Sequence, residues 1–373
     1  MKRICSFLLS ASLIAALFSC QKTPATEIEE TPLPDGETGV ISVVVKTPFT
    51  ETKSQTLDDN AIKTVQLFVF TPDGKLETSK YVDNYTPSGE LKITAKTGEK
   101  TLYVVLNSKR LNFTKTSSFE QPQDSELNDL SENTKERLIM VGKNTVKVDP
   151  YNAVTPTESK VTVNVKRLTS KIVLQKVTVD FKGTTLESGS FSILDVYLVN
   201  VVGKAPYGVK DGGIPYTLAE TSYFSNMANW YSKATYAGTA PEMTYDLNYN
   251  KICSDVNGGQ VDIGLSYLAY PNNATQVQNG THDTDITAPV MTGLVLKAHV
   301  KSGSFSDTAI DKDTYYTFDL PQLEPNKQYL ITNITITMPG ADNPGERVAS
   351  GKITPTITVD PWADGNTNIT YDF

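Results

Sequence analysis

Few residues in this sequence have the types and spacing that catalysis requires. The two histidines, His282 and His299, lie far apart, and the sequence contains no His-Glu-x-x-His, Gly-x-Ser-x-Gly, glycine-rich phosphate loop or paired Cys-x-x-Cys motif. Asp283 and Asp285 beside His282 could contact a cation, but a solvated loop explains them better. We therefore predict that the protein is not an enzyme and has no catalytic residue, no cofactor and no bound metal.

The three cysteines divide between a predicted leader and the mature chain. A short basic stretch precedes the apolar run Ile4–Phe18, which is too short for a comfortable transmembrane helix and is typical of a secretory signal. A small residue follows this run, and then Cys20, as in bacterial lipoproteins. Residues 1–20 are thus predicted to be a lipoprotein signal peptide with Cys20 lipidated; an ordinary signal with a chance cysteine is the alternative. Only Cys253 then remains, which excludes an intramolecular disulfide.

The composition limits the classes of molecule that the protein is expected to bind. The formal net charge is −8 and the pI is near 5.0, so a nucleic-acid surface is not predicted. The aromatic residues of segment Tyr216–Tyr236 could bind a glycan, although core packing and tyrosine-rich surface loops explain them as well. After removal of the leader, the chain is long enough for two domains with real cores.

Most of the chain is predicted to form short β-strands. Val, Ile, Thr and Tyr dominate runs that Gly, Pro, Asn and Asp separate, a pattern that indicates β-sandwich domains. One helix is predicted within Ser125–Met140, and Gln21–Gly39 is predicted to be a tether. The clearest predicted strands are Val40–Val45, Val65–Phe70, Leu91–Ala95, Thr101–Leu106, Val161–Val165, Ile172–Val179, Ile193–Val202, Leu330–Met338 and Ile353–Val359.

Two of these strands have unusual patterns. Val40–Val45 carries Ile41, Val43 and Val45 on one face and valines on the other, which predicts a strand covered on both sides. In the last strand, Ile353, Ile357 and Val359 share an apolar face and threonines occupy the other. Pro355 cannot donate a hydrogen bond to a neighbouring strand, so this strand is predicted to lie at a sheet edge or to have its free side at this residue. A plain final strand and a strand that leaves its own domain are both compatible with this pattern.

Several short motifs, in order along the chain, resemble the fimbrillins of type V pili, and most closely the FimA-type major fimbrial subunit. They include a first strand at Ile41–Thr47 and a Gly-x-Lys-Thr-Leu-x-Val-x-x-Asn strand at Gly98–Asn107. The others are Leu138–Met140, Val165–Leu168, Asn326–Tyr329, Gly340–Pro344 and Thr358–Trp362.

The resemblance implies an all-β fold with a minor helix, in which two tandem β-sandwich domains have a transthyretin-like, Greek-key arrangement. The implied divisions are a signal peptide at residues 1–20, a propeptide with tether and first strand at 21–53, an N-terminal domain at 54–165, and a C-terminal domain with a donor strand at 166–373. The implied location is the outer membrane and then the cell-surface fimbrium, where the subunit supports adhesion.

The resemblance also implies a mechanism of assembly. A protease cuts the loop after the first strand, and the strand that contains Ile41, Val43 and Val45 leaves with the lipidated propeptide. The C-terminal strand of another subunit, with Ile353, Ile357 and Val359, fills the vacated groove. The implied partners are therefore other copies of the chain, related pilus subunits, a maturation protease, and the membrane through the lipid before cleavage.

One feature departs from the family pattern. Thr47–Asn60 contains no arginine, and Lys53 is its only basic residue, so Lys53 is the predicted cleavage site. If it is not cut, the chain is an uncleaved, lipid-held anchor or accessory subunit. A glycan-binding surface lipoprotein with the same fold is a further alternative.

Overall fold

The computed structural model describes most of the chain outside the N-terminal leader. The described residues are 27–28, 37–47, 62–85, 91–134, 137–152, 154–155, 157–208, 224–225, 245–246, 250–273, 291–303, 309–343, 353–361 and 370–371. Within these ranges, no helix is long and apolar enough to cross a membrane. Cys20, Lys53, His282 and almost all of Tyr216–Tyr236 lie outside them.

The described chain is almost entirely β-structure, as predicted. The N-terminal strands are β1 (Glu27–Ile28), β2 (Thr38–Lys46), β3 (Val65–Phe70), β4 (Leu76–Val82), β5 (Leu91–Lys96), β6 (Gly98–Leu106), β7 (Asn128–Asp129), β8 (Met140–Val148), β9 (Glu158–Asn164) and β10 (Lys166–Arg167). The strands that follow are β11 (Ser170–Asp180), β12 (Ser190–Val199), β13 (Val201–Val202), β14 (Lys204–Ala205), β15 (Phe224–Ser225), β16 (Tyr245–Asp246), β17 (Lys251–Cys253), β18 (Asn257–Ala269), β19 (Gly293–Lys301), β20 (Asp311–Asp319), β21 (Lys327–Ile336), β22 (Ile353–Pro361) and β23 (Thr370–Tyr371).

The N-terminal strands form a six-stranded sheet, in the order β1-β4-β3-β6-β8-β10, and a three-stranded sheet, in the order β5-β2-β9. Side chains from both sheets share one apolar core, because alternate residues of a strand point to opposite faces. In β3, Val65, Leu67 and Val69 belong to this core, whereas Phe68 and Phe70 face the opposite side. The six-stranded sheet is therefore buried on both faces at its centre.

The C-terminal strands form two further sheets whose inner faces share a second core. One has the order β18-β11-β21-β22-β23, and the other has the order β16-β12-β19-β20 with β17 also paired to β12. Strand β11 runs parallel to β21 and antiparallel to β18. The all-β, sandwich-type fold predicted from the sequence is thus confirmed.

Extensive contacts join the two halves. Phe68, Phe70 and Phe119 belong to the same apolar cluster as the C-terminal sheets. Strand β7 pairs with β14, and the fully buried hydroxyl group of Tyr270 accepts a 2.9 Å hydrogen bond from Asn133 Nδ2. The boundary predicted at residues 165 and 166 stays a prediction; β10, which immediately follows it, still pairs with β8 of the N-terminal sheet.

The helix predicted within Ser125–Met140 was wrong for the described part of that segment. It contains 3-10 turns at Asp124–Glu126 and Leu130–Glu132, and the four-residue helix α1 lies earlier, at Ser117–Glu120. The reason is local hydrogen bonding by short polar side chains. Asp129 Oδ1 accepts from Ser131 N at 2.9 Å and caps only the short 3-10 turn. Asn133 Oδ1 accepts from Ile139 N at 3.0 Å, a bond that competes with helical ones.

Candidate functional site

Strand β2 is the central strand of the three-stranded sheet. It runs antiparallel to β5 over six residue pairs, from Thr38–Lys96 to Val43–Leu91, and parallel to β9 over seven, from Val40–Glu158 to Lys46–Asn164. Strands β5 and β9 have no other partner in this sheet. Among the residues that the structure describes, the only backbone ladder that connects the two flanking strands is therefore β2 itself. We call the space that β2 fills the β2 groove.

The predicted first-strand residues of β2 face the apolar core at the floor of this groove. Ile41 and Val43 are 0% and 1% exposed and belong to the N-terminal core, while Val45 is half-buried and packs against it. On the opposite face, Ser42 is fully buried, but Val40 and Val44 keep partial exposure. The predicted burial on both faces thus holds for the middle of the strand and weakens toward its ends.

The outer edge of β5 is held by side chains of the six-stranded sheet. Glu77 Oε1 on β4 accepts a 2.6 Å hydrogen bond from Lys96 N, and Lys80 Nζ donates to Lys92 O at 3.0 Å. Lys100 neutralises Glu77 at 2.7 Å, and both side chains are almost fully buried. Because these backbone atoms of β5 point away from β2, the contacts do not depend on the presence of β2.

Strand β9 is held in a similar way on the other side of the groove. Asn144 Nδ2 on β8 donates to Thr162 O at 2.8 Å, and Ser159 Oγ accepts from Asp149 N at 3.0 Å. Gly142 of β8 lies so close to β9 that a Cβ atom there would be 2.3 Å from Asn164 O. The two walls of the β2 groove are each tied to the six-stranded sheet.

The predicted donor strand corresponds to β22, which is docked in its own domain. It pairs with β21 along its whole length, but on its other side only Ile357 and Thr358 pair, with the two-residue strand β23. Ile357 is fully buried in the C-terminal core, whereas Ile353 and Val359 are half-buried and pack against it. β22 is the second strand from the end of this sheet and not its edge, but among the described residues Pro355 pairs with β21 alone, so it has the free side that was the other predicted possibility.

Other residues with chemical potential have structural environments. Cys253 is buried and donates to Asp255 O at 3.0 Å, and burial raises the pKa of its thiol, which disfavours the reactive thiolate. His299 lies between Asp311 and Asp313 on the exposed face of β19 and β20, at 3.0 and 3.1 Å. Across the described ranges, no group of three or more His, Cys, Asp or Glu side chains could hold a metal ion.

The residues that hold the walls of the β2 groove were not predicted from the sequence. Glu77, Lys80 and Lys100 read as ordinary surface charges, because nothing local marks them as buried. Gly39 was assigned to the tether, although it is buried within β2. A glycine directly before an alternating apolar strand is a signal of close backbone approach, and this signal could have identified it.

Comparison with known proteins shows which family part of the chain resembles. The family model described as major fimbrial subunit protein (FimA) matches residues 40–174, which include residues 40–46 of β2 and both of its neighbours, β5 and β9. No curated protein gives a significant match.

Solved structures share the fold over nearly the whole chain. A candidate cell adhesion protein from Bacteroides eggerthii DSM 20697 is 18% identical, with a TM-score of 0.58, over 90% of this chain and 100% of that one. A fimbrilin (FimA) from Porphyromonas gingivalis W83 is 16% identical, with a TM-score of 0.56, over 88% of this chain and 98% of that one. At these identities the likeness shows the fold alone. Together with the family match over residues 40–174, it confirms the resemblance to FimA-type fimbrial subunits that the sequence predicts.

Proposed function

We propose that this chain builds a cell-surface fimbrium by strand exchange, in which β2 is removed and β22 of another copy takes its place, and that the fimbrium supports adhesion. The central position of β2 carries the proposal. Its removal separates β5 from β9 and opens an apolar groove, while the two walls keep their own side-chain contacts with the six-stranded sheet.

The energetic cost of an empty groove favours its refilling. Burial of Ile41 and Val43 contributes roughly 1.5–3 kcal/mol for each side chain, so loss of β2 removes about 3–6 kcal/mol of apolar stabilisation. It also leaves backbone groups of β5 and β9 unpaired, and unpaired strand edges recruit other strands. An extended segment with alternating aliphatic residues satisfies both requirements.

Strand β22 supplies such a segment. Ile353, Ile357 and Val359 lie on one face of β22, as the inward residues of β2 do, with Pro355 at the intervening position. Strand β22 can leave its sheet by breaking one full ladder and one two-residue ladder. Deletion of Lys352–Phe373 is therefore expected to abolish SDS-resistant polymer ladders. Normal fimbriae from this truncated chain would contradict strand exchange through this terminus.

Removal of β2 requires a cut in the loop that follows it, and we propose Lys53 as the site. In the variant Lys53→Ala, the full-length precursor should accumulate and ladders should be lost, whereas Lys63→Ala, which changes an exposed lysine just before β3, should assemble normally. Mass spectrometry of polymerised protein measures the result directly. A polymer whose subunits all begin at Cys20 would show that β2 is retained.

Before cleavage, we propose that lipidated Cys20 holds the precursor on the outer membrane. Metabolic labelling with a fatty-acid analogue should mark the precursor and the variant Cys253→Ala equally, because Cys253 is buried and distant in sequence from the leader. The variant Cys20→Ala should lose the label. Undiminished labelling of Cys20→Ala would overturn this part of the proposal.

A further inference from the structure

We infer that the position of Gly39 in the β2 groove accepts only glycine, and that this requirement sets the register of the incoming strand. Gly351 of a second copy takes the place of Gly39, which brings Ile353 to the site of Ile41 and Ile357 to the site of Val45. The inference rests on the proposed strand exchange and specifies which residues of the donor meet which residues of the groove.

The groove leaves no room for a side chain at Gly39. A Cβ atom built on this residue would lie 2.1 Å from Asp149 O and 2.7 Å from Val148 Cγ1. These separations are far below the roughly 3.5–4.0 Å at which carbon atoms pack favourably. One of the two obstacles is a backbone carbonyl, which a change of side-chain rotamer cannot relieve.

The wall that creates this restriction belongs to the groove and not to β2. Val148 is 1% exposed, ends β8 and pairs with Gly98 of β6. Asp149 N donates to Ser159 Oγ on β9. Tyr151 N, two residues further along, donates to Thr38 O and loses this bond when β2 leaves. The strand pairing of Val148 and the hydrogen bond of Asp149 do not involve β2, so a strand that replaces β2 along its full length meets the same wall.

Only one glycine near the C-terminus begins a suitable pattern. The groove requires a glycine followed, two and six residues later, by aliphatic side chains at the sites of Ile41 and Val45. The sequence Gly351-Lys-Ile-Thr-Pro-Thr-Ile357 meets this requirement with Ile353 and Ile357. The other glycines of this region are followed two residues later by a polar or charged residue: Asp342 after Gly340, Arg347 after Gly345 and Thr367 after Gly365.

The glycine restriction excludes the register that side-chain similarity alone would favour. Ile357-Thr-Val359 is the best residue-for-residue match to Ile41-Ser-Val43, but this alignment puts Pro355 in the place of Gly39. The proline ring would meet the same wall. In the inferred register, Pro355 instead takes the place of Val43.

Hydrogen bonding also favours the inferred register. Thr97 N donates to Glu37 O, so by antiparallel alternation residues 37, 39, 41 and 43 of the β2 strand exchange hydrogen bonds with β5. Proline has no N–H group to donate. At the place of Gly39, it would lose a bond opposite Ala95, within the ladder, whereas at the place of Val43 it faces Leu91, at the end of the ladder and the first residue of β5.

The outward-facing positions are compatible as well. Thr354 takes the place of the fully buried Ser42, which pairs with Lys92 and Lys160, and so keeps a hydroxyl group there. Lys352 takes the place of Val40, whose partner on β9 is Glu158, a carboxylate that Lys92 Nζ of β5 also contacts at 2.5 Å. The donor thus presents a basic side chain beside an acidic one at the groove wall.

Engineered disulfides can determine the register of the donor strand in fimbriae made from the full-length chain. The position of Ser42 forms a non-hydrogen-bonded pair with Lys92, where Cα atoms are about 4.5 Å apart, within the range for a disulfide. With Cys253→Ala as background, Lys92→Cys combined with Thr354→Cys should give a disulfide between chains. The matched combination of Lys92→Cys with Thr358→Cys, which tests the excluded register, should give none.

Mass spectrometry of the linked peptides after complete denaturation identifies the result. A link to residue 358 and not to residue 354 would overturn the register and leave strand exchange intact. Polymers without either link would overturn the inferred register, because Lys92 would then face neither Thr354 nor Thr358. As a second measurement, Gly351→Ala should be exported but fail to polymerise, whereas Gly365→Ala should polymerise; normal ladders from Gly351→Ala would contradict the glycine requirement.

Discussion

Glu77 and Lys100 form an ion pair in the N-terminal half of the molecule, with 2.7 Å between Oε2 and Nζ and side chains that are 3% and 6% exposed. The two residues lie on β4 and β6, the neighbours of β3, and the second carboxylate oxygen of Glu77 binds Lys96 N of β5. One buried pair therefore links the six-stranded sheet to a wall of the β2 groove.

Breaking this pair should destabilise the folded precursor. Glu77→Ala leaves the Lys100 ammonium group buried without its partner, which typically costs about 3–5 kcal/mol. The control Lys109→Ala removes a solvent-exposed partner of Glu132, and such pairs contribute about 0–1 kcal/mol. Urea denaturation measures both changes. Equal midpoints for the two variants would mean that the buried pair does not stabilise the groove wall.

Replacement of both partners provides a further test. In the double variant Glu77→Leu/Lys100→Met no charge remains buried, so most of the stability lost in Glu77→Ala should return. The hydrogen bond to Lys96 N remains absent, however, and the wall formed by β5 loses one of its two side-chain anchors. We therefore expect a stable precursor that polymerises less efficiently, which comparison of urea midpoints with ladder intensity can detect.

The hairpin formed by β19 and β20 should weaken in acid. Hydrogen bonds from Lys297 and His299 lower the pKa of Asp313, and those from Lys301 and His299 lower the pKa of Asp311. A carboxyl group whose pKa is lower in the folded protein contributes stability at pH values above its unfolded-state pKa, about 3.9, and loses it as the pH falls through the folded value.

The measurement is the urea midpoint at pH 7 and at pH 3. Asp313→Asn should lower the midpoint at pH 7 and reduce the difference between the two pH values, because one of the titrating groups is gone. Added salt should weaken the wild-type pairs, since all are partly exposed. An unchanged pH difference in Asp313→Asn would show that this cluster does not contribute to acid sensitivity.

Local sequence patterns predicted strands where burial is continuous or strictly alternating. β3 was predicted with its observed bounds because all six of its residues are buried and apolar or flanked by apolar residues. β20 was missed because Asp311 and Asp313 resemble turn residues. Their charges are compensated by Lys297, His299 and Lys301 on β19, and this pairing is a non-local property that short windows of sequence do not contain.

The candidate site was predictable only in part for the same reason. The alternation in β2 and β22 identified the apolar face of each strand. The partners of β2 lie about fifty and one hundred and twenty residues further along the chain, so its central position depends on contacts that no local pattern encodes. The restriction at Gly39 likewise arises from Val148 and Asp149.

The junction between the two halves depends on a buried tyrosine. Tyr270 is fully buried, its hydroxyl group bonds to Asn133 and Asn128, and burial raises the pKa of that group. Tyr270→Phe leaves buried polar groups without this partner and should cost about 1–3 kcal/mol. Tyr151→Phe, at an exposed position, should have little effect. Thermal denaturation of both variants tests the difference; equal melting temperatures would contradict a stabilising role for the hydroxyl group.

The last prediction separates assembly from the folding of a single subunit. Ile357 is fully buried in its own domain, so Ile357→Asp should destabilise the monomer by several kcal/mol. Loss of assembly in this variant could then come from the unfolded monomer or from the changed donor strand.

Ile353 and Val359 are instead both half-buried in β22, so an aspartate at either position should destabilise the monomer by similar amounts. Their places in the polymer differ: Ile353 takes the fully buried site of Ile41, whereas Val359 lies beyond the ladder between β2 and β5. Ile353→Asp should therefore fold and be exported without forming ladders, and Val359→Asp should form them. Urea midpoints of the two monomers and ladder intensities from the same cells provide the comparison. Loss of ladders from Val359→Asp alone would indicate a donor register shifted toward the C-terminus.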